Sequence, residues 1–387
     1  MIYLILFILL LILTIRFDFG QRQIGRVFWY NATLVILILV SGLRYKVGGD
    51  TFVYLNYYST VPNLTNLTYH FFAESIYNPF WVILCSLSKS ISSEFIFFQL
   101  LQACVVNTII FRFIKQNTRY YFTAVLVYFV FLYVYFNMEI MRESLAVCVF
   151  LLAYPSYKEK KWRTYYFFAI IAYLFHSSAL LVFIFPLFRN LKFNIVNICL
   201  VLLLSIALFF LFLSYPELLR VLLFSDTISN KFDIYSNMHA NINGRLYTLF
   251  FYGLLPLVVL LLNKKSLMMK GLFKELYLIY FFLVFVYATS YGFSRFLNYL
   301  SPFMMIYFAN FLHDFYNRKR FAKFKTGLLV VIVSLAITPK ILYYFEDTSD
   351  LVAGTHKYNL WYPYSSVFNE EDFRYRELLF YSNFGRE

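Results

Sequence analysis

The chain has 387 residues, of which 61% are hydrophobic and only 14% are charged, far below the roughly one quarter that is usual in soluble domains. This composition excludes a water-soluble globular protein and indicates one membrane domain. The formal net charge of +14 does not indicate nucleic-acid binding, because the basic residues form short clusters between apolar segments, as orientation in a bilayer requires.

Apolar segments follow one another along most of the chain and predict an all-α, polytopic integral membrane protein. With partial or re-entrant segments included, we expect roughly 11–12 membrane helices, of about 20 residues wherever a helix crosses straight. The segments lie at residues 1–15, 27–43, 77–91, 95–114, 120–137, 139–154, 164–188, 194–214, 246–263, 272–291, 295–313 and 325–343.

The basic clusters between these segments predict which ends face the cytoplasm. The membrane domain comprises residues 1–345 and carries two long outer-face loops, 44–76 and 215–245. Residues 346–387 form an outer-face tail that is aromatic and mixed in charge, so we expect it to pack on the outer face. Residues 137–140 and 291–295 are placed on the same side.

Two segments depart from a simple crossing pattern. Residues 77–91 contain several serines and predict a partial or interfacial helix, because non-helical backbone at membrane depth is tolerated only against protein or water. The apolar stretch 164–188 is broken at His176-Ser177-Ser178. This break predicts a helix, a polar interruption and a second helix in the return direction.

The first polar patch follows the apolar segment 27–43 and contains Arg44, Gly48-Gly49, Asp50 and Tyr54. One interpretation is an interfacial anchor, in which the arginine snorkels, the glycines end the helix and the tyrosine belongs to the aromatic belt. The other is a site at the membrane surface that carries chemistry.

The second patch places Arg142 about one turn into an apolar segment. An arginine inside the bilayer is costly and is by default a functional candidate, paired with an acid or with an anionic ligand. Residues three apart share a helix face whereas adjacent residues do not, which favours Glu139 over Glu143 as the neutralising partner.

The third patch is His176 at the break in the stretch 164–188. A buried histidine is commonly a hydrogen-bonded structural residue. Here Ser177 or Ser178 can cap the following helix, and the helix N-terminus disfavours an imidazolium. We therefore expect a neutral ring that is able to accept a proton.

The fourth patch is Arg295 at the start of the apolar segment 295–313. Arg245 in the long outer loop joins this patch. Arginines on the outer side run against the positive-inside bias, so an anionic ligand explains them better than orientation does. No P-loop, HExxH, GxSxG or GxGxxG motif occurs, so nucleotide hydrolysis, zinc proteolysis and hydrolase-type acyl transfer lack their usual residues.

In their order and spacing, the four patches resemble the EpsG-like branch of the Wzy-type bacterial exopolysaccharide and O-antigen polymerases. The resemblance covers nearly the whole chain. It rests on Gly42-Leu43-Arg44, on Gly49-Asp50-Thr51 with Tyr54, on Met141-Arg142-Glu143-Ser144-Leu145-Ala146, on residues 171–180 around His176, and on Ser294-Arg295.

The resemblance implies a membrane glycosyltransferase of GT-C type in the bacterial cytoplasmic membrane, with its active site on the outer, periplasmic face. Its substrate is an oligosaccharide on undecaprenyl pyrophosphate, which is transferred to the non-reducing end of another lipid-linked repeat unit. Other implied partners are membrane lipid and a chain-length regulator protein; no cofactor, metal or nucleic acid is expected.

The same resemblance suggests a role for each patch. Without an evident metal site, Arg44, Arg142, Arg295 and Arg245 are the candidates for holding the pyrophosphate through bidentate contacts. His176 is the candidate general base.

Two further residues of the first patch are site candidates. Asp50 can orient His176, position a sugar hydroxyl or pair with Arg44, and the sequence leaves these roles open. Tyr54 is a candidate for stacking on a sugar ring.

Three other functions fit part of this pattern. A flippase of the same lipid-linked glycan would also use arginines, but it predicts internal symmetry that this chain lacks. An O-antigen ligase uses similar arginine and histidine chemistry on a different acceptor. A membrane acyltransferase also depends on a single membrane histidine, with a nearby Asp or Asn that the segment around His176 lacks.

Overall fold

The protein is mainly helical in the part of the chain that the computed structural model describes, namely residues 1–190, 195–215, 242–262, 274–289, 293–317, 324–371 and 373–384. Within these ranges, five helices are long and apolar enough to cross a membrane, and the β contacts are isolated bridges only. The predicted all-α, polytopic membrane protein is confirmed. The five helices are Ile2–Phe19, Phe95–Asn117, Tyr121–Met138, Ile242–Leu262 and Lys325–Tyr344.

The chain divides into two compact units, Met1–Leu180 with Ile337–Glu387, and Leu181–Ala336. Helices of the first unit are α1 (Ile2–Leu13), α2 (Arg26–Gly42), α3 (Thr51–Thr60), α4 (Tyr69–Glu74), α5 (Pro79–Ile91), α6 (Phe95–Asn117), α7 (Tyr121–Tyr128), α8 (Val134–Met138), α9 (Met141–Lys158) and α10 (Trp162–Phe175). The π-helical turn Thr14–Phe19 extends α1, and the π-helical turn Phe129–Tyr133 joins α7 to α8.

The later helices complete the described chain. They are α11 (Leu180–Phe188), α12 (Ile195–Ser214), α13 (Ile242–Thr248), α14 (Leu255–Leu262), α15 (Lys274–Thr289), α16 (Ser294–Asn298), α17 (Ser301–Tyr316), α18 (Lys325–Tyr344) and, in the C-terminal tail, α19 (Arg374–Phe384). Most of the predicted outer loop 215–245, residues 216–241, lies outside the described residues.

The predicted interruption at His176 is confirmed. Helix α10 ends at Phe175, His176 is extended with φ −155° and ψ 132°, and a 3₁₀ turn from Ser177 to Ala179 leads into α11. A polar residue thus stands where the backbone changes from one helix to the next.

Helix α5 is short, and its failure to cross the membrane stays a prediction. Its 13 residues extend about 20 Å, less than the roughly 30 Å of a hydrocarbon core. Its polar side chains bind the end of α3 and the chain just after it. Lys89 Nζ donates to the carbonyl oxygens of Tyr58 at 2.9 Å and Ser59 at 2.8 Å, and Ser86 Oγ donates to that of Pro62 at 2.8 Å. These bonds hold the segment between α3 and α5 against the bundle.

Buried amides of α6 fix the corner between α8 and α9. Asn107 Nδ2 donates to Asn137 Oδ1 at 2.8 Å, and the Tyr128 hydroxyl donates to Asn107 Oδ1 at 3.0 Å. One turn earlier, Gln102 Nε2 donates to Ser144 Oγ at 3.1 Å. Hydrogen bonds of this kind, away from water, hold residues 137–144 in one position.

The C-terminal tail packs on the chain that follows α2. Its backbone carbonyls at Leu360 and Ser365 accept hydrogen bonds from the amides of Gly48 and Tyr45, both at 3.0 Å. The buried Arg376 donates to the carbonyls of Asn359, Lys46 and Pro363 and to Ser365 Oγ. The tail is therefore part of the first unit, and its position on the outer face of the membrane remains a prediction.

Candidate active site

The helical hairpin of α9 and α10 brings Arg142 and His176 to the same end of the first unit. Three residues, 159–161, connect the two helices, which pack against each other along their length. At a helical rise of 1.5 Å per residue, Arg142 lies about 25 Å from this connection along α9, and His176 lies about 23 Å from it along α10. Helix α9 also contacts the turn Ser177–Ala179.

The residues just before α5 lie between these two side chains. The Tyr77 ring is under the Arg142 guanidinium, whose carbon Cζ is 4.2 Å from the ring centroid. The neighbouring Asn78 donates its side-chain amide to the Tyr173 carbonyl at 3.1 Å, three residues before His176. The second and third patches are thus joined through residues 77–78, which the sequence did not single out.

Arg142 lies against aromatic rings with part of its side chain exposed. Its Cζ is also 6.0 Å from the Tyr54 ring centroid, and both tyrosines offer the cation a π face. Within the described residues, its buried Nε has no hydrogen-bond partner. A buried charged donor without an acceptor is costly, and an anionic ligand would remove that cost.

The predicted pairing of Arg142 with Glu139 is wrong. The Glu139 carboxylate accepts hydrogen bonds from the hydroxyls of Tyr343 at 2.8 Å and Tyr344 at 3.3 Å, at the end of α18. Burial, with the side chain only 5% exposed, raises the pKa of Glu139 to about 7. The sequence has no signal for this contact, because it joins residues about 200 positions apart.

The charge of Asp50 acts on the two tyrosines that flank Arg142. Burial raises the pKa of Tyr54 and of Tyr77, the positive charge of Arg142 lowers both, and the negative charge of Asp50 raises both. The two phenols remain protonated at neutral pH and can donate hydrogen bonds. Asp50 itself is partly exposed, at the start of α3.

Two glycines let the chain before Asp50 approach the α8–α9 corner. Gly48 has φ +128°, and a Cβ there would lie 2.7 Å from the Met138 carbonyl oxygen and 2.5 Å from Thr51 Oγ1. A Cβ at Gly49 would lie 3.0 Å from Glu139 Cγ. At Gly48 the positive φ and the contact with a backbone oxygen exclude a Cβ, whereas at Gly49 a Cβ requires the Glu139 side chain to shift by a few tenths of an ångström. Gly48 above all therefore lets the first patch approach the second.

Arg44 is enclosed by the protein and faces its own backbone. Its side chain has no exposed surface, Nε donates to the Val47 carbonyl at 2.9 Å, and one terminal nitrogen donates to the Ser41 carbonyl at the end of α2. The other terminal nitrogen lies 3.5 Å from Met141 Sδ. Burial lowers the pKa of Arg44 to about 10, so the group stays charged. These contacts differ from the predicted phosphate contact and are those of a structural arginine.

The cap at the start of the 3₁₀ turn differs from the prediction. His176, with 6% of its surface exposed, caps the turn with its own ring: Nδ1 accepts the Ser178 backbone N–H at 3.2 Å and lies 2.6 Å from Ser178 Oγ. The ring is thereby oriented by the backbone that it caps.

The remaining predicted site residues, Arg245 and Arg295, belong to the second unit. Arg245 lies in α13 and Arg295 in α16, and both are partly exposed. Their participation in the site stays a prediction.

A family model, the EpsG family, matches residues 27–366. The chain belongs to the EpsG family. It is accordingly a membrane protein of polysaccharide biosynthesis, and the resemblance seen in the four patches is confirmed. No curated protein and no solved structure matches the chain.

The match to the EpsG family includes all the predicted site residues, from Arg44 to Arg295. It ends before α19, so Arg376 lies outside the matched range. Within this family member, the described residues that come together are Asp50, Tyr54, Tyr77, Arg142 and, at the same end of the hairpin, His176.

Proposed function

We propose that this EpsG-family protein polymerises lipid-linked oligosaccharide repeat units. It transfers a glycan from undecaprenyl pyrophosphate to the non-reducing end of another lipid-linked unit, on the outer face of the cytoplasmic membrane. One observation carries the proposal. Arg142 has a buried Nε that finds no acceptor among the described residues, its guanidinium lies on the Tyr77 ring, and it is at the same end of a helical hairpin as His176.

This arrangement suits a pyrophosphate leaving group. Negative charge develops on the phosphate oxygens as the glycosidic bond breaks, and a guanidinium fork can bind two of these oxygens at once. The rings of Tyr54 and Tyr77 hold the guanidinium in place, and donors fixed before the reaction stabilise a developing charge most effectively. We assign pyrophosphate binding to Arg142.

Two other arginines enter the proposal as further phosphate ligands. Arg295 and Arg245 keep this role from the sequence, because both are partly exposed cations of the second unit. Arg44 does not, since its donors are used within the protein. We propose instead that Arg44 supports the loop that carries Asp50.

Deletion of the gene in the source bacterium tests this function against its alternatives. A polymerase is expected to leave single repeat units on the cell surface in place of long chains, and the wild-type gene to restore the chains. Loss of all surface glycan would indicate a flippase instead. Accumulation of long chains on the lipid carrier would indicate a ligase, and either result would overturn the proposal.

A further inference from the structure

Two lysines lie on the pair of tyrosines that ends α18, but they differ in their partners. Lys357 Nζ is 3.9 Å from the Tyr343 ring centroid and forms an ion pair with Glu346 Oε2 at 2.9 Å. Lys340 Nζ is 5.9 Å from the Tyr344 ring centroid. Among the residues that the structure describes, Lys340 has neither a hydrogen-bond acceptor nor an ion-pair partner. Its ammonium donors are therefore not used by the described residues.

Glu139 is the acid whose charge acts on Lys340, but its carboxylate binds other groups. The two oxygens accept the hydroxyls of Tyr343 at 2.8 Å and Tyr344 at 3.3 Å. Burial raises the pKa of Glu139, and the positive charge of Lys340 acts in the opposite direction, so the two groups are close enough to interact. Within the described structure they nevertheless form no ion pair. Contact with Glu139 therefore does not explain the position of Lys340.

Lys340 lies inside a helix of membrane length, four residues before its end at Tyr344, and is half-buried. A lysine near the end of such a helix commonly extends its ammonium to the interfacial water. Here Nζ instead lies 4.8 Å from the centroid of the Tyr135 ring in α8. A cation that faces other helices within a membrane domain is costly and by default marks a functional site.

A short series of contacts joins Lys340 to Arg142. The carbonyl of Tyr135, whose ring Lys340 contacts, accepts the Glu139 amide at 3.2 Å. The Glu139 carbonyl accepts the Tyr54 hydroxyl at 3.2 Å, and the Tyr54 ring centroid is 6.0 Å from Arg142 Cζ. Two cations that lie on tyrosine rings thus belong to the same corner of the first unit, between α8 and α9.

A pyrophosphate leaving group needs more than one cation. Each phosphorus of an ester-linked pyrophosphate carries a negative charge, and further charge develops as the glycosidic bond breaks. Cations that are held in place before the reaction stabilise this charge most effectively. A lysine ammonium binds phosphate as a compact point charge with rotatable donors, which complements the planar fork of an arginine.

We propose that Lys340 binds a phosphate group of the lipid pyrophosphate, as a second cation in addition to Arg142. This inference rests on the proposed polymerase function, which supplies the lipid-linked substrate. The rings of Tyr135 and Tyr344 hold the ammonium. The tyrosine hydroxyls that bind Glu139 keep its carboxylate away from the ammonium, which leaves the charge of Lys340 for the ligand.

Ligand binding without turnover tests this role. The probe is undecaprenyl pyrophosphate, and uncharged undecaprenol is its comparison, with purified protein in nanodiscs of zwitterionic lipid. We expect Lys340→Gln to weaken binding of the probe about 10–100-fold, the usual effect of losing a hydrogen bond between charged groups. Lys340→Arg keeps the charge and should stay within about fivefold of wild type. Undecaprenol should bind wild type and both variants alike.

Lys357→Gln is the matched control, because it also removes a lysine from this tyrosine pair, but one that is already paired with Glu346. We expect it to bind the probe as wild type does. Equal binding by Lys340→Gln and wild type would refute the inference. So would an equal loss in Lys357→Gln, or an equal loss of undecaprenol binding. Displacement of the probe by equimolar phosphatidylglycerol would show that Lys340 contacts bilayer headgroups, and the inference would again be wrong.

A double variant separates phosphate binding from simple neutralisation of Glu139. If Lys340 only offsets the charge of Glu139, Lys340→Gln should have no effect on probe binding in Glu139→Gln protein, and the inference would be wrong. If Lys340 binds phosphate, the loss should be as large as in the wild-type background. These measurements require no glycan transfer. A wild-type protein that binds the probe but does not elongate repeat units would therefore contradict the polymerase function and leave the role of Lys340 intact.

Discussion

Replacement of Arg142 tests the proposed leaving-group site, because its guanidinium lies 4.2 Å from the Tyr77 ring centroid and its Nε has no acceptor in the described part of the chain. A hydrogen bond to a charged group contributes about 1.5–3 kcal/mol. Loss of two such bonds to the departing phosphate corresponds to roughly 10²–10⁴-fold in rate, at 1.4 kcal/mol per factor of ten. We therefore expect Arg142→Ala to lower kcat/KM by about three orders of magnitude.

Lysine at this position keeps the charge but not the planar fork or its stacking on tyrosine. Arg142→Lys should therefore fall between wild type and alanine, about 10–100-fold below wild type. Tyr77→Leu should lower the rate more than Tyr77→Phe, because only the first removes the ring under the cation.

The assay is elongation of purified lipid-linked repeat units by detergent-purified variants, at equal amounts of folded protein. A value for Arg142→Ala within fivefold of wild type would refute pyrophosphate binding by this residue. Equal rates for Tyr77→Leu and Tyr77→Phe would show that the ring does not position it.

Three further predictions concern the supports of the site. Gly48→Ala should lower the melting temperature far more than Gly354→Ala. Both glycines have positive φ, but only at Gly48 would a Cβ meet the Met138 carbonyl oxygen, at 2.7 Å. Equal losses in melting temperature would contradict this. Because burial raises the pKa of Glu139 to about 7, its neutral form stabilises the fold below the ordinary pKa of about 4.5, and this stability is lost as pH rises through 7. Thermal unfolding of the wild type should show this loss and Glu139→Gln should not; identical pH profiles would refute it. Arg376→Ala leaves several backbone carbonyls without their donor, and each one that stays buried lowers the free energy of unfolding by about 1–3 kcal/mol. The tail should therefore become sensitive to limited proteolysis. Unchanged protection of the tail would show that Arg376 does not hold it in place.

The sequence predicts the class of fold and the break at His176 for a simple physical reason. Apolar residues in segments of membrane length, with most charges between them, are stable only as helices in a bilayer. A histidine and two serines within such a segment interrupt the pattern, and the chain leaves the helix there.

Contacts between distant parts of the chain could not be predicted in the same way. Periodicity shows that Arg142 and Glu139 share a helix face, but it does not show that Tyr343 and Tyr344 take the carboxylate. Likewise, the sequence does not show whether a cation at the end of an apolar segment binds phosphate or donates to backbone carbonyls. Only the folded loop shows that Arg44 is enclosed with the carbonyls of Ser41 and Val47.

The cap that His176 makes lay beyond sequence reasoning too. The order His176-Ser177-Ser178 suggests that a serine caps the next helix, because serine is the more usual cap. The ring reaches the Ser178 amide itself, so the histidine caps the turn with its own Nδ1. That difference depends on backbone angles at one residue.

The most direct test of polymerisation is reconstitution of the purified wild-type protein in liposomes with undecaprenyl-pyrophosphate-linked repeat units and no ion gradient. Glycans are released and sized by mass spectrometry, with Arg142→Ala as the inactive control. We predict products of two or more repeat units on one lipid in the wild-type sample only. Single units in both samples, from protein that is folded and supplied with its native substrate, would contradict a polymerase.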